Sequence, residues 1–340
     1  MVYLFGEYTI YWLNYLQQIN TKGKQTMSAI DSMIFNIQMV RATGLRYCIY
    51  KYLGAHGHFH DVPDEQYLQK LYKYFYGRKM DFNNPQTFSE KMQWMKVYYH
   101  NPLLTKMVDK YDVKQYVIDK IGPEHVIPCL GVWNKAEDID YDKLPDAVVL
   151  KVTHDSGGLR MIKDKKNCDK AEINEYLNKR LKRNFFFAGR EWQYKNVNPR
   201  IIAEPYVETL GKSSSVEYKI TCINGRVEFI TVCKGIAHSR LDYRTNDFYS
   251  RDLQRLDMES NYYANSKTEH KMPACINEMI EASEKLAKEF PTVRVDFYVD
   301  NDDYIFGEMT FYTWDGFFRF TPKDWDMKLG QKLILPEKMI

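Results

Sequence analysis

One stretch constrains the fold more than any other: Val293 to Phe311, V-R-V-D-F-Y-V-D-N-D-D-Y-I-F-G-E-M-T-F. It alternates with a period of two, so it reads as two strands joined by an acidic turn. Val293, Val295, Phe297 and Val299 share one face of the first strand; Arg294, Asp296 and Tyr298 share the other. On the second strand Ile305, Met309 and Phe311 fall together, opposite Glu308 and Thr310. A loop of odd length, Asn301 to Asp303, sets Asp296 across from Glu308 and superimposes both apolar faces. An even loop flips one strand, so the pattern selects the odd register. Two carboxylates and a hydroxyl on one sheet face suit a hard cation such as Mg²⁺, and Arg294 suits phosphate or carboxylate. Cross-strand charge pairs that only stabilise a hairpin are the competing reading.

At 340 residues and net charge +3, the chain is long enough for two or three domains, and its charge demands no nucleic-acid partner. Six cysteines without a C-x-x-C read as reduced thiols of a cytoplasmic protein. Met1 to Leu16 is apolar and aromatic, too short for a membrane span and poor as a signal peptide. Packing against its own protein is expected of it, with peripheral contact at the inner membrane face as the alternative.

Residues 1–80 read as mainly helical. Within them His56, His58 and His60 alternate in H-G-H-F-H-D, a zinc-capable spacing in a loop-like segment with no second ligand cluster. Thr87 and Glu90 make a capping box, and a helix is expected from Asn101-Pro102 through Asp109, Lys110 and Tyr111 to near Gly122. Val148 to Val152 reads as a buried strand ending near Lys151. His154-Asp155-Ser156-Gly157-Gly158 then turns into a second strand, Leu159 to Lys163. The glycines let backbone amides approach phosphates; the turn lacks the G-x-x-x-x-G-K of a P-loop. Arg200 to Val207 is a strand broken at Pro205. Asn224-Gly225 signals a tight hairpin, residues 238–271 resist assignment, and Pro273 to Phe290 is a helix with Met279, Ile280, Leu286 and Ala287 inward.

The order of these parts resembles the ATP-grasp superfamily, and more closely the TupA-like ATP-grasp proteins of bacterial polysaccharide clusters. The stretches that carry the resemblance are N-P-Q-T-F-S-E-K-M-Q-W (Asn84 to Trp94), V-D-K-Y-D-V-K-Q-Y-V (Val108 to Val117), L-P-D-A-V-V-L-K-V-T-H-D-S-G-G (Leu144 to Gly158), R-E-W-Q-Y-K-N-V-N-P-R-I-I-A-E-P-Y-V (Arg190 to Val207), E-Y-K-I-T-C-I-N-G (Glu217 to Gly225) and R-V-D-F-Y through G-E-M-T-F (Arg294 to Phe311). They span about residues 60 to 335.

The resemblance implies an α+β fold in which two lobes clamp ATP. Its parts are a helical extension (1–80), an N-terminal α/β part (81–145), a lid lobe (146–207) and a C-terminal lobe with the Mg²⁺ site (208–340). Lys151, with Lys110, would contact phosphates under the loop His154, Asp155, Ser156, Gly157 and Gly158. Glu204, Pro205, Tyr206 and Val207 would read adenine. Asp296, Glu308 and Thr310 would hold Mg²⁺, with Glu217 and Lys219 beside them and Arg294 on the reacting groups. Two positions depart from the pattern: Thr310 replaces the usual Asn, and Glu217 replaces the Asp of many relatives.

The implied reaction is ATP-dependent ligation of a carboxylate to an amine through an acyl phosphate. The substrates associated with the family are a uronic-acid-containing glycan or its precursor and an amino compound. Alternatives are a glycosyltransferase using Asp300-Asn301-Asp302 as a D-x-D motif, a sugar kinase, and a non-catalytic ATP-binding scaffold.

Overall fold

The computed structural model describes residues 29–208, 215–235, 244–300 and 303–340. Met1 to Leu16 lies outside them. The described part of the first 80 residues is helical, as expected: α1 (Ala29–Thr43), α2 (Leu45–Ala55) and α3 (Asp64–Tyr76). Helix α3 shows why. Asp64 and Glu65 complement the positive end of the helix dipole, Gly77 closes the helix at φ 76°, and Tyr67, Leu68, Leu71, Tyr72 and Phe75 form one buried stripe. The Thr87–Glu90 capping box is formed at the start of α4 (Phe88–Tyr98).

The single helix expected after Asn101 is two, α5 (Pro102–Val108) and α6 (Val113–Ile121). The Asp109 carboxylate causes the break. It accepts the amides of Tyr111 (2.8 Å) and Asp112 (3.1 Å), local bonds that compete with the helical ladder. The interruption matters, because it sets Lys110 on a bend instead of a helix face.

Two antiparallel sheets follow. The first has the order β1-β4-β2-β3, from β1 (Gly131–Trp133), β2 (Val148–Val152), β3 (Leu159–Ile162) and β4 (Ile201–Pro205). Its core joins Val148, Leu150, Val152 and Ile201 to Ile173, Tyr176 and Leu177 of α7 (Lys170–Leu181), a helix capped by Asp169. The second sheet has the order β10-β9-β5-β6-β7. It comprises β5 (Val216–Ile223), β6 (Arg226–Lys234), β7 (Thr245–Ser250), β9 (Thr292–Asp300) and β10 (Asp303–Thr310). A short pair, β8 (Glu259–Ser260) with β11 (Phe320–Thr321), lies apart. Asn224 and Gly225 turn β5 into β6 at φ 50° and 77°, the left-handed pair that the dipeptide signals. Strand β7 lies in the stretch that resists assignment by sequence. Helix α9 (Ile276–Ala287) buries all four expected residues, Met279, Ile280, Leu286 and Ala287.

The N-terminal helices share one core with the five-stranded sheet. Phe317 meets Tyr47 of α2 and Phe75 of α3 at ring-centroid distances of 5.2 and 5.4 Å. The chain ends in α10 (Asp324–Lys332), which packs on α4. The result is the mixed α+β architecture expected, with a mainly helical N-terminal region.

The opening hairpin corrects one expectation. Asp303 pairs with Asp300, so the tip holds two residues, 301 and 302, both outside the described ones. This even loop puts Tyr304 and Phe306 on the core face and Ile305 opposite Tyr298. A bulge at Gly307 then inserts one residue and restores Asp296 opposite Glu308, Val295 opposite Met309 and Arg294 opposite Thr310. Only glycine fits: a Cβ there would lie 2.9 Å from the Tyr298 ring and 3.0 Å from the Asp296 carbonyl oxygen.

Candidate active site

A cleft of about 1820 Å³ runs between the two sheets, walled on a third side by α1 and α2. Lys110, Lys151 and the Asp155–Gly158 turn line one side; Glu217, Lys219, Arg294, Glu308 and Thr310 line the other.

On the four-stranded side, β2 and β4 pair and bring Lys151 within 2.5 Å of Glu204. The second Glu204 oxygen accepts Lys114, 2.6 Å away. Burial alone would raise the Glu204 carboxyl, but Lys151 and Lys114 outweigh it and hold it below the usual range. Both carboxylate oxygens are thus taken by lysines. Pro205, Tyr206 and Val207 line the same cleft. The sequence reading missed Lys114; it stands one helical turn after Lys110, the only signal available for it.

Lys110 donates to the Asp155 carbonyl oxygen at 2.8 Å, and burial pulls its pKa down. Asp155 is itself buried against Arg180 at 2.5 Å, which ties the turn to α7. Ser156 and Gly157 are exposed, and Gly157 has φ 73°. Gly158 is buried so closely that a Cβ would meet Val152 at 2.3 Å. His154 differs from its neighbours. It is buried, its Nε2 lies 3.0 Å from the Arg183 carbonyl oxygen, and it is absent from the cleft wall.

The five-stranded side gathers charges from three adjacent strands. Arg294 grips Asp296 with two bonds of 2.6 and 2.7 Å, and also reaches Thr310 (3.0 Å), Thr313 (3.1 Å) and Glu308 (3.3 Å). Lys219 bridges Asp296 (2.6 Å) and Glu217 (2.7 Å), and Tyr298 donates to Glu217 at 3.0 Å. Asp296 is 2 % exposed. Burial would raise its carboxyl, but Arg294 and Lys219 outweigh burial and hold it below the ordinary range. Lys219 shifts the other way: burial opposes its charge, yet Asp296 raises its pKa overall. Glu308 points into the cleft, with Thr310 donating to it at 3.2 Å. Asp296, Glu217 and Glu308 outnumber Arg294 and Lys219, so the cluster has one uncompensated carboxylate, on the cleft side.

Two other sequence candidates lie elsewhere. His60 stacks on Phe187 at 3.7 Å, and among the described residues no group of three His, Cys, Asp or Glu side chains is placed to hold a metal ion. Asp300 is absent from the cleft wall, and Asn301 and Asp302 lie outside the described residues. No described helix is long and apolar enough to cross a membrane.

No curated protein matches the sequence. Among solved structures, the D-alanine–D-alanine ligase of Bacillus anthracis is similar at 17 % identity and TM-score 0.37, over 64 % of this chain and 62 % of that one. The L-amino acid ligase of Bacillus licheniformis is similar at 13 % identity and TM-score 0.43, over 74 % and 56 %. D-cycloserine synthetase DcsG is similar at 13 % and 0.41, over 72 % and 76 %. The chain thus spans less than two thirds of the length of the first of these. The profile of one family, TupA-like ATPgrasp, matches residues 90–334, and the chain belongs to that family.

Proposed function

We propose that the protein is an ATP-dependent carboxylate–amine ligase working through an acyl phosphate. One observation carries this reading: in a chain of this family, a single cleft is lined by lysines under a glycine turn on one sheet and by Arg294, Glu308 and Thr310 of the hairpin on the other, with Asp296 buried against Arg294.

Lys110, Lys114 and Lys151 surround the same part of the cleft and would bind the phosphates of ATP, with Lys151 exchanging Glu204 for phosphate oxygen. Since lysines occupy both Glu204 oxygens, adenine would be read by the backbone at Pro205 to Val207. Ser156 to Gly158 would close over the phosphates and keep water from the acyl phosphate. Arg294 would hold the attacking carboxylate beside the γ-phosphate. The paired strands carry the groups that would hold Mg²⁺: the cleft-facing Glu308 carboxylate, the Thr310 hydroxyl and, across the ladder, Asp296, which would exchange a bond to Lys219 or Arg294 for the ion. When bound, Mg²⁺ supplies neutralisation of phosphate charge. Lys219 and Arg294 keep Asp296 ionised for that role. No protein nucleophile is needed, because the substrate carboxylate forms the bond to phosphorus. We extend the family's setting to substrates: a uronic-acid-containing surface polysaccharide or its precursor, joined to an amino compound, in the cytoplasm or at the inner face of the membrane.

Thermal stabilisation by Mg·ATP tests the reading, with UDP-sugars and Mn²⁺ alongside. A ligand at a hundred times its Kd stabilises the folded state by about 2.7 kcal/mol. Stabilisation by ATP that is lost in Glu308→Gln supports the ligase. Stabilisation by a UDP-sugar alone would move the protein to glycosyl transfer.

A further inference from the structure

The cleft holds a further part that the ATP and Mg²⁺ assignments leave unused. Its wall includes Glu191, from the segment joining α8 (Phe186–Gly189) to β4, together with Tyr194, Tyr312 and Asp315. Glu191 is 4 % exposed yet lines the cavity. Among the described residues its one side-chain hydrogen bond comes from the Gln193 amide, at 2.9 Å.

A buried carboxylate ordinarily has a cation bonded to it. Two lysines lie near enough to offset the charge of Glu191, Lys96 and Lys51, and both are bonded elsewhere. Lys96, fully buried, donates to the carbonyl oxygens of Gly189 (2.9 Å) and Asp315 (2.6 Å). Lys51 of α2 is held by the Asp315 carboxylate. Among the described residues no Lys, Arg or His nitrogen forms an ion pair with Glu191.

The surrounding chain is built to hold this arrangement. Gly189 packs so tightly on Asp315 that a Cβ would lie 2.7 Å from its carboxylate. Trp314 and Asp315 both adopt left-handed backbone, at φ 51° and 55°, a conformation that persists where its surroundings enforce it. Lys96, bonded to the Gly189 and Asp315 carbonyl oxygens, joins the two segments. Burial pushes the Glu191 carboxyl up, against the pull of Lys96 and Lys51. The Tyr194 and Tyr312 rings stand beside Glu191 in the same wall, and aromatic faces attract cations.

We infer that Glu191 forms the binding subsite for the amine substrate, receiving a primary ammonium group between the Tyr194 and Tyr312 rings. This rests on the ligase reading, which requires an amine to approach the acyl phosphate, and it adds the place and the charge state in which that amine is held. The field of Glu308 reaches both Glu191 and Tyr194, which puts the subsite next to the hairpin where the acyl phosphate would form.

The experiment is thermal stabilisation of the full chain in saturating Mg·ATP analogue by a panel of amines: the amino acids, glucosamine, ethanolamine and ethylamine. Each is paired with its N-acetyl counterpart, and KCl serves as the ionic control. Wild type should be stabilised by at least one free amine and not by its acetylated form, and Glu191→Gln should bind that amine at least tenfold more weakly. The nucleotide shift reads the ligase proposal separately, and its absence from wild type would remove both. If wild type shifts with nucleotide but with no amine, if K⁺ reproduces the effect, or if Glu191→Gln binds the amine as wild type does, the subsite is overturned. Retention of the nucleotide shift shows that Glu191→Gln is folded. Should it be lost, Glu191→Asp, which keeps the charge and shortens its reach, is compared in the same way and should bind the amine more weakly than wild type.

Discussion

At the scale of single residues, Asp296 shows what a buried ion cluster contributes to stability. It is buried, and Arg294 and Lys219 both hold it. Removing one member of a buried ion cluster costs about 3 kcal/mol. The sign of its pH dependence follows from the lowered carboxyl. A carboxylate with a folded pKa below its unfolded value of about 3.9 contributes stability that is complete above that value. That stability is lost as pH falls through the folded value. The difference in urea midpoint between wild type and Asp296→Asn should therefore be full at neutral pH and shrink in acid below about pH 4. A gap of equal size across that range would mean that the carboxylate is not held charged by its partners. Lys151 makes a different case, because its partner Glu204 keeps a second lysine. Lys151→Ala should fold normally and weaken Mg·ATP binding by about ten- to a hundredfold, the worth of one charge-assisted contact. Calorimetric titration measures this, and unchanged affinity would place the phosphates elsewhere.

At the scale of elements, two features of similar size should separate fold from site. Thr87 caps α4 and does not line the cleft. Thr87→Ala should cost about 1 kcal/mol of stability and leave nucleotide affinity as it is. Gly307 is the bulge that realigns β10 on β9. A methyl group there meets the Tyr298 ring and the Asp296 backbone, an overpacking that costs about 1–3 kcal/mol. It also displaces Glu308 and Thr310 from Asp296. Gly307→Ala should thus lose Mg²⁺-dependent nucleotide binding out of proportion to its loss of stability. Equal affinity at reduced stability would show that the register of this hairpin does not set the site. The break between α5 and α6 belongs to the same scale: an aspartate that interrupts a helix turns Lys110 toward the glycine turn.

At the scale of the whole molecule, two hydrophobic cores flank one cleft, and polar contacts join its two sides. Lys110 is one of them, bonded through its side chain to the Asp155 carbonyl and through its amide to Thr153 (3.2 Å). Mg·ATP should therefore slow hydrogen exchange at the Ser156 to Gly158 amides, in the turn between β2 and β3, more than at the strands beside them. No added protection there would mean that the turn does not close on nucleotide. The N-terminal helices are joined to the five-stranded sheet through Phe317 and form a wall of the cleft, although the family match begins only at residue 90.

The sequence by itself determined the elements whose cause is local. Period-two alternation marked β9 and β10 and an apolar run marked β2; Asn224-Gly225 marked a turn; Thr87 and Glu90 marked a helix start; the apolar stripe of α9 marked its buried face. It also brought Asp296, Glu308 and Thr310 to one face, because strand pairing is itself a periodic constraint. Only the tertiary structure decided the rest. The hairpin reached its register through an even loop and a glycine bulge, since burying Tyr304 and Phe306 near the tip outweighed the simple alternation. His154 went inward although its neighbours line the cleft, because its ring found the Arg183 carbonyl. Lys114, Lys51 and Glu191 joined the cleft from segments 63 to 140 residues apart in sequence. No local pattern encodes such a meeting, because it depends on which faces of distant elements remain once the two cores have formed.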